Sequence, residues 1–468
     1  MWSALGQDDP SDQVPGGHVQ TTRLGLGILA ATALLVTACG APGTPATERS
    51  ADATTIDAPL TKEDVAKLGD VTLRVWADSG DKATLDHYVP RFEKDFPNVD
   101  VQVTIKSFDD LTKTVVNAMN GDNPPDVAQG NQGYQVDGAL VQAGLVRPLD
   151  DVAEAYGWAD DFEGYPLDQF RWNDKGTQWG SGKLYGISPV TQYIGVFHNE
   201  RLLDKAGVRP PKTYEELEAS LPKIAASGTT PIEFGNSDKQ ASMHLFGALA
   251  GRCQAADDVN DWVAGVKGTS FVDDCNRSAA GTLRDWVKKG YVSSGYDGVT
   301  MDDAAVRFAK GSAAYYIGGD WLAQQISPHG KQFGFTVPTG ANDKRVITGG
   351  SGMGWHISAK SKSTEAAAAF IAGLHEADYA QALVDQVRVP IVEADVKAED
   401  PLLDDDLVAA RALLDDNGQT AYLDWSTDTM YDEFGSRLQE LLAGRIGPDE
   451  FLRAVQENWS AFQETKTS

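Results

Sequence analysis

Between residues 71 and 133 the spacing of apolar positions switches repeatedly between two and about three and a half. Residues 71–76 and 98–105 place apolar side chains at alternate positions, as half-buried strands do. Between them, residues 84–95 carry Leu85, Tyr88, Val89 and Phe92 on one helical face. Strand, helix and strand predict a β-α-β unit, and such a crossover implies a parallel sheet. A second amphipathic helix over 108–119, a turn at Asn123-Pro124-Pro125 and a short strand over 126–129 continue the pattern. The loop Gly130-Asn131-Gln132-Gly133 then faces the carboxyl end of the sheet, where open α/β sheets bind ligands.

Residues 182–207 hold two apolar runs, 184–187 and 194–197, interrupted by Pro189, which fixes φ and removes a ladder donor. That pattern predicts a strand leaving one sheet and entering another, with Thr191, Gln192 and Tyr193 at the crossing. Asn199 is placed to cap a helix over 200–205 and Gly207 to end it in a left-handed conformation. Thr213 and Glu216 fit a capping box. Short strands are expected at 232–234, 313–317, 333–337 and leading to Ile357, with a helical region over 241–291, a strong helix over 364–375 and a helical C-terminal third. Strands alternating with helices on both sides of Pro189 predict two α/β lobes.

Composition narrows the function. The 468 residues are 41% apolar and carry a formal net charge of −28, which argues against nucleic acid or an anionic membrane surface as partner. Residues 24–38 are apolar or small, follow Arg23 and end at Val36-Thr37-Ala38-Cys39, a signal-peptide pattern over 1–38. Residues 1–18 lack the basic side chains of a signal n-region, which points to a true start nearer Val19. Residues 39–69, rich in Ala, Pro, Thr and Ser at their start, read as a flexible tether. Cys253 and Cys275 are expected to form a disulfide, worth on the order of 3 kcal/mol in the chain-entropy model. No metal site and no cofactor are expected. Gly349 to Gly354 lacks the Lys-Ser/Thr of a phosphate-cradling loop, and Met353 stands where a nucleophile elbow needs its second Gly.

Several segments in order, 76–82, 92–97, Pro125-Asp126-Val127, 182–199, 314–321 and 349–352, resemble the family 1 extracellular solute-binding proteins of carbohydrate ABC importers, the maltose-binding group. The resemblance implies a class II periplasmic-binding-protein fold, in which two lobes with mixed sheets flanked by helices are joined by three hinge crossings. By analogy the crossings fall near Pro189, Val337 and Pro390. The first lobe is then 70–188 plus 340–389, and the second 189–339 plus 390–468. A sugar would be clamped in the cleft and presented to membrane permease subunits. Cys39 is similar to the lipid-bearing cysteine of a bacterial lipoprotein, which implies a monomer anchored to the outer face of the cell membrane.

Sugar recognition needs aromatic faces against pyranose C–H groups and planar polar side chains for the hydroxyls. Matched onto the family, the ligand-binding residues are Asp78, Asp81, Lys82, Gln129, Asn131, Gln192, Tyr193 and Trp321, with Asn236, Gly350, Ser351 and Trp425 added. Gln192 replaces a carboxylate of the maltose-binding pattern and Asp320 stands where proline is common, so the ligand need not be maltose. Each residue has a competing structural use: Trp321 and Trp425 as packing aromatics, Asn131 and Asn236 as turn or cap residues. His244 reads as a satisfied helix residue, and Asp404 to Asp406 as a helix N-terminus. The alternatives to a binding protein are a cell-surface glycoside hydrolase and a surface lipoprotein without a ligand.

Overall fold

A computed structural model describes residues 54–158, 165–392 and 394–467; the signal segment, Cys39 and the start of the tether lie outside the described residues. In chain order the strands are β1 (Val71–Asp78), β2 (Val99–Lys106), β3 (Val127–Gly130), β4 (Arg171–Trp172), β5 (Lys183–Leu184), β6 (Thr191–Asn199), β7 (Thr230–Glu233), β8 (Ala313–Gly319), β9 (Phe333–Thr336), β10 (Ile347–Ser351), β11 (Gly354–Ile357) and β12 (Gln419–Thr420). They form two main mixed sheets, one in each of two α/β lobes, and a small β4–β5 hairpin.

The first sheet runs β11-β3-β1-β2. β1 pairs in parallel with β2 from Val71 opposite Val99 onward and with β3, as the crossover helices Lys82–Asp95 and Phe108–Asn120 require. β11 runs antiparallel to β3. The alternate residues Leu73, Val75 and Ala77 of β1 are buried, and the rings of Tyr88 and Phe92 meet Phe370 edge-on at 5.2 Å from the helix Thr364–Leu374. Residues 54–69 belong to this lobe and are not a free tether. Ile56 and Val65 are buried, the Ile56 amide donates to Asp151 at 2.9 Å, and Thr61 caps the short helix Lys62–Ala66.

The second sheet runs β12-β10-β6-β8-β7, with β9 also on β6. β6 and β8 are buried at nearly every position, which fits strands covered on both faces. The helices Gln240–Ala250 and Met301–Ala309 pack on it. Asn199 accepts from the Leu202 amide at 3.3 Å and Gly207 ends that helix at φ +66°, as expected. Cys253 and Cys275 are joined by a disulfide, and the helix Asp274–Lys288 begins one residue before Cys275.

The chain passes between the lobes at Ser188–Val190, at Gly352–Met353 and around Val389–Ile391, and these segments are hydrogen-bonded side by side. Thr191 N–H donates to Val389 C=O at 2.9 Å, Ile391 N–H to Pro189 C=O at 2.9 Å, and Gly352 N–H to Val190 C=O at 2.9 Å. The second passage is therefore not at Val337, which follows β9 inside the second lobe. β10 pairs with β6, so residues 347–351 lie with the second sheet and not the first.

Candidate functional site

Beside the three crossings the lobes enclose a cavity of about 630 Å³, within the usual range for small-molecule sites. Its first-lobe wall is built from segments that directly follow parallel strands: Asp78 to Asp81 after β1, Ser107 to Asp109 after β2, and Asn131 and Gln132 after β3. These are the carboxyl ends of the sheet, where backbone groups and short side chains point outward with no strand left to pair. The opposite wall takes Trp321 from the turn after β8, Met243 and His244 from the first turns of the helix Gln240–Ala250, and Tyr422, Asp424, Trp425 and Tyr431 from the C-terminal third. Gln192, Ser351 and Met353 line it next to the crossings.

On the second wall the rings form a row. His244 stands edge-on to Trp321 (5.7 Å between centroids, 82°) and to Tyr422 (5.9 Å, 69°), and Tyr422 packs against Trp425 at 4.8 Å. Phe108 reaches across from the first lobe to Tyr431 at 6.4 Å. Such a row offers apolar faces where a pyranose presents C–H groups, while Asn131, Gln132, Gln192, Gln324 and Gln325 supply amides around it.

Of the residues expected from the sequence, the cavity takes in Asp78, Asp81, Asn131, Gln192, Trp321, Ser351 and Trp425. Lys82 is exposed and pairs with Asp86 one helical turn away. Gln129 is fully buried behind the wall: its Oε1 accepts from the Asp78 amide at 2.8 Å and its Nε2 donates to Asp81 at 2.6 Å, so it holds the cavity-facing turn in place. Tyr193 faces away, its hydroxyl donating to the Asp406 carbonyl at 2.7 Å. Asn236 is buried, accepting from the Ser242 amide at 2.9 Å at the start of the helix that carries Met243 and His244. Gly350 belongs to the scaffold: a Cβ there would lie 1.7 Å from Gln169 Nε2. Trp425 serves both competing uses, since it lines the cavity while its carbonyl accepts from Tyr134 N–H at 3.1 Å. Gly133, at φ +85°, allows that approach, because a Cβ would sit 2.4 Å from the Trp425 side chain.

Sequence reasoning missed Gln132, Phe108, His244, Tyr422, Asp424 and Tyr431. His244 is no satisfied helix residue: its buried Nδ1 has no hydrogen-bond partner. Gln132 lay inside the singled-out loop, and its Nε2 donates to the Gly352 carbonyl at 2.7 Å, tying the first-lobe wall to the second crossing. Arg388, beside the third crossing, donates to Gly80 C=O at 3.2 Å and pairs with Asp81 Oδ1 at 3.0 Å.

The cavity is acidic. Burial, and secondarily the Asp81 charge, push the Asp78 carboxyl up to about 6. Burial pushes Asp424 up to about 7 and lowers His244 to about 3, so that imidazole is neutral. Asp238 and Asp302 are also raised, mainly by burial. Among the described residues no group of three or more His, Cys, Asp or Glu side chains is placed to hold a metal ion, and no helix is long and apolar enough to cross a membrane.

Comparison with known proteins gives a consistent picture. Residues 87–412 match the family described as bacterial extracellular solute-binding protein. An uncharacterized ABC transporter extracellular-binding protein of Pyrococcus horikoshii is 23% identical over 289 residues, 58% of this chain and 61% of that relative; the match thus spans about three fifths of the relative's length. A chitin oligosaccharide binding protein superposes with a TM-score of 0.72 at 22% identity, covering 84% of this chain and 99% of that one. The solute receptor AcbH, described as preferring β-D-galactopyranose, superposes with a TM-score of 0.72 at 16% identity over 84% and 99% of the two chains. At these identities the structural likenesses show the two-lobed fold.

Proposed function

From the premise that the chain belongs to the bacterial extracellular solute-binding protein family, we propose that it captures a sugar or oligosaccharide in the interlobe cleft for an ABC importer. The observation that carries this reading is the row Trp321, His244, Tyr422 and Trp425 facing the polar strand ends of the other lobe across a hinge. The chitin oligosaccharide and galactopyranose ligands of proteins with this fold support the substrate class.

The mechanism is differential affinity. A sugar touching both walls stabilises the closed arrangement over the open one, and the permease subunits read closure. No bond is broken. The protein works exported and as a monomer, held to the outer face of the cell membrane by a lipid on Cys39, with the binding residues drawn from Asp78, Asp81, Asn131, Gln192, Ser351, Trp321 and Trp425.

Calorimetry against mono- and oligosaccharides tests the reading. Saturable binding of at least one sugar, with a smaller scattering radius on binding, is expected. Release of shortened products would instead mark a glycoside hydrolase, and absence of heat with every sugar would mark a surface protein without this ligand class. At a hundredfold excess over Kd the ligand should add about 2.7 kcal/mol to stability.

A further inference from the structure

The cleft's charge is unbalanced in a way that a neutral sugar does not resolve. Asp78, Asp81, Asp109, Asp238, Asp302 and Asp424 line it, and among the described residues no Lys or Arg does. Asp81 is matched by Arg388, and Asp109 by Lys113 one turn along its helix. Among the described residues no Lys, Arg or His lies within ion-pair distance of Asp78, Asp238, Asp302 or Asp424. Asp424 is only 8% exposed. Asp238 spends one oxygen on the Met301 amide at 2.9 Å, and the other is buried with no partner. His244, 6% exposed with its Nδ1 unpartnered, also lines this cavity; being neutral, it supplies no countercharge.

Resting on the sugar reading, we propose that the natural ligand is cationic, an amino-bearing sugar whose protonated amine sits among the second-lobe carboxylates and the Tyr431 ring. Ring and charges lie together: Asp109, Asp424 and Asp238 all bear electrostatically on the Tyr431 hydroxyl, and Phe108 closes the far side at 6.4 Å. An ammonium over such a ring gains a cation–π contact as well as Coulomb attraction. The scattered placement of the carboxylates favours an organic cation, since a metal ion would need three or more of these ligands gathered at one point, which the described residues do not provide. Lobe closure decides the sign. Expelling water strengthens repulsion among unpaired carboxylates; sugar hydroxyls can donate to them without cancelling charge, whereas an ammonium does both.

The test is calorimetry at pH 7 and low ionic strength with glucosamine oligomers, the N-acetylglucosamine oligomers of equal length, neutral hexoses and disaccharides, and the non-sugar amines choline and spermidine. The amino sugars should bind about tenfold or more tighter than their neutral counterparts, and the preference should shrink as salt rises toward ~0.5 M. Asp302→Asn and Asp424→Asn should each narrow that gap, read as the ratio of amino-sugar to neutral-sugar affinity in the same variant. Equal or tighter binding of the neutral set overturns the cationic assignment and leaves the sugar reading standing. Binding of choline or spermidine with no sugar bound overturns the sugar reading and upholds the charge. Silence toward the whole panel overturns both.

Discussion

The two walls of the cleft are made differently. The first-lobe wall is strand ends and helix starts: Asp78 to Asp81, Ser107 and Asn131 come straight off β1, β2 and β3. The second-lobe wall is a row of rings from three distant parts of the chain, the turn after β8, the helix Gln240–Ala250 and the segment around Tyr422. Apolar faces need no partner and can receive a ligand in an open cleft, whereas amides and carboxylates gain most once water is gone. On the proposed sugar reading the rings of the second wall supply affinity, and the amides and carboxylates, which both walls carry, convert binding into closure.

Trp321→Ala gives the largest expected effect: a loss of about 2.5 kcal/mol in sugar affinity by calorimetry, with an unchanged melting profile. A smaller loss than at Asn131 would reverse the roles of the walls. Next, Asp424→Asn should stabilise the protein more at pH 8 than at pH 5, by about 2 kcal/mol in ligand-free denaturation. The sign follows from burial: the folded carboxyl is raised to about 7, so the stability associated with its neutral form is present at low pH and lost as pH rises through that value. Asn cannot ionise and keeps it. Equal gains at both pH values would show that this carboxyl is hydrated. Asn131→Ala should weaken binding by about 1 kcal/mol and leave a larger residual scattering radius with ligand present. Lys82→Ala should change affinity and stability by less than about 0.3 kcal/mol, since its pair with Asp86 is solvent-exposed; any larger loss would return Lys82 to the site.

What could be read from the sequence divides along the same line. Strand ends are local: the period switch at residues 71–133 places Asp78, Asp81 and Asn131 at loop tips, and the crossing after Pro189 places Gln192. The rings that converge from afar were only partly legible. Trp321 follows a strand and could be placed, but His244 sits in a helix that is buried all round, and nothing in its spacing says that one face opens on a cavity. Gln129 and Asn236 show the converse limit. A polar residue at a strand end can face the ligand or hold the turn that does, and the choice depends on partners such as Asp81 and Ser242 that spacing alone does not supply. The second crossing was misplaced because Gly-rich β10 carries little side-chain pattern, and its allegiance comes from backbone pairing to β6.

The Arg388 grip on Asp81 and on the Gly80 carbonyl joins the tip of one jaw to the pivot on which both jaws turn. On the proposed sugar reading, a cargo that presses on that tip would load the fulcrum directly, whereas one held only among the rings would leave it slack.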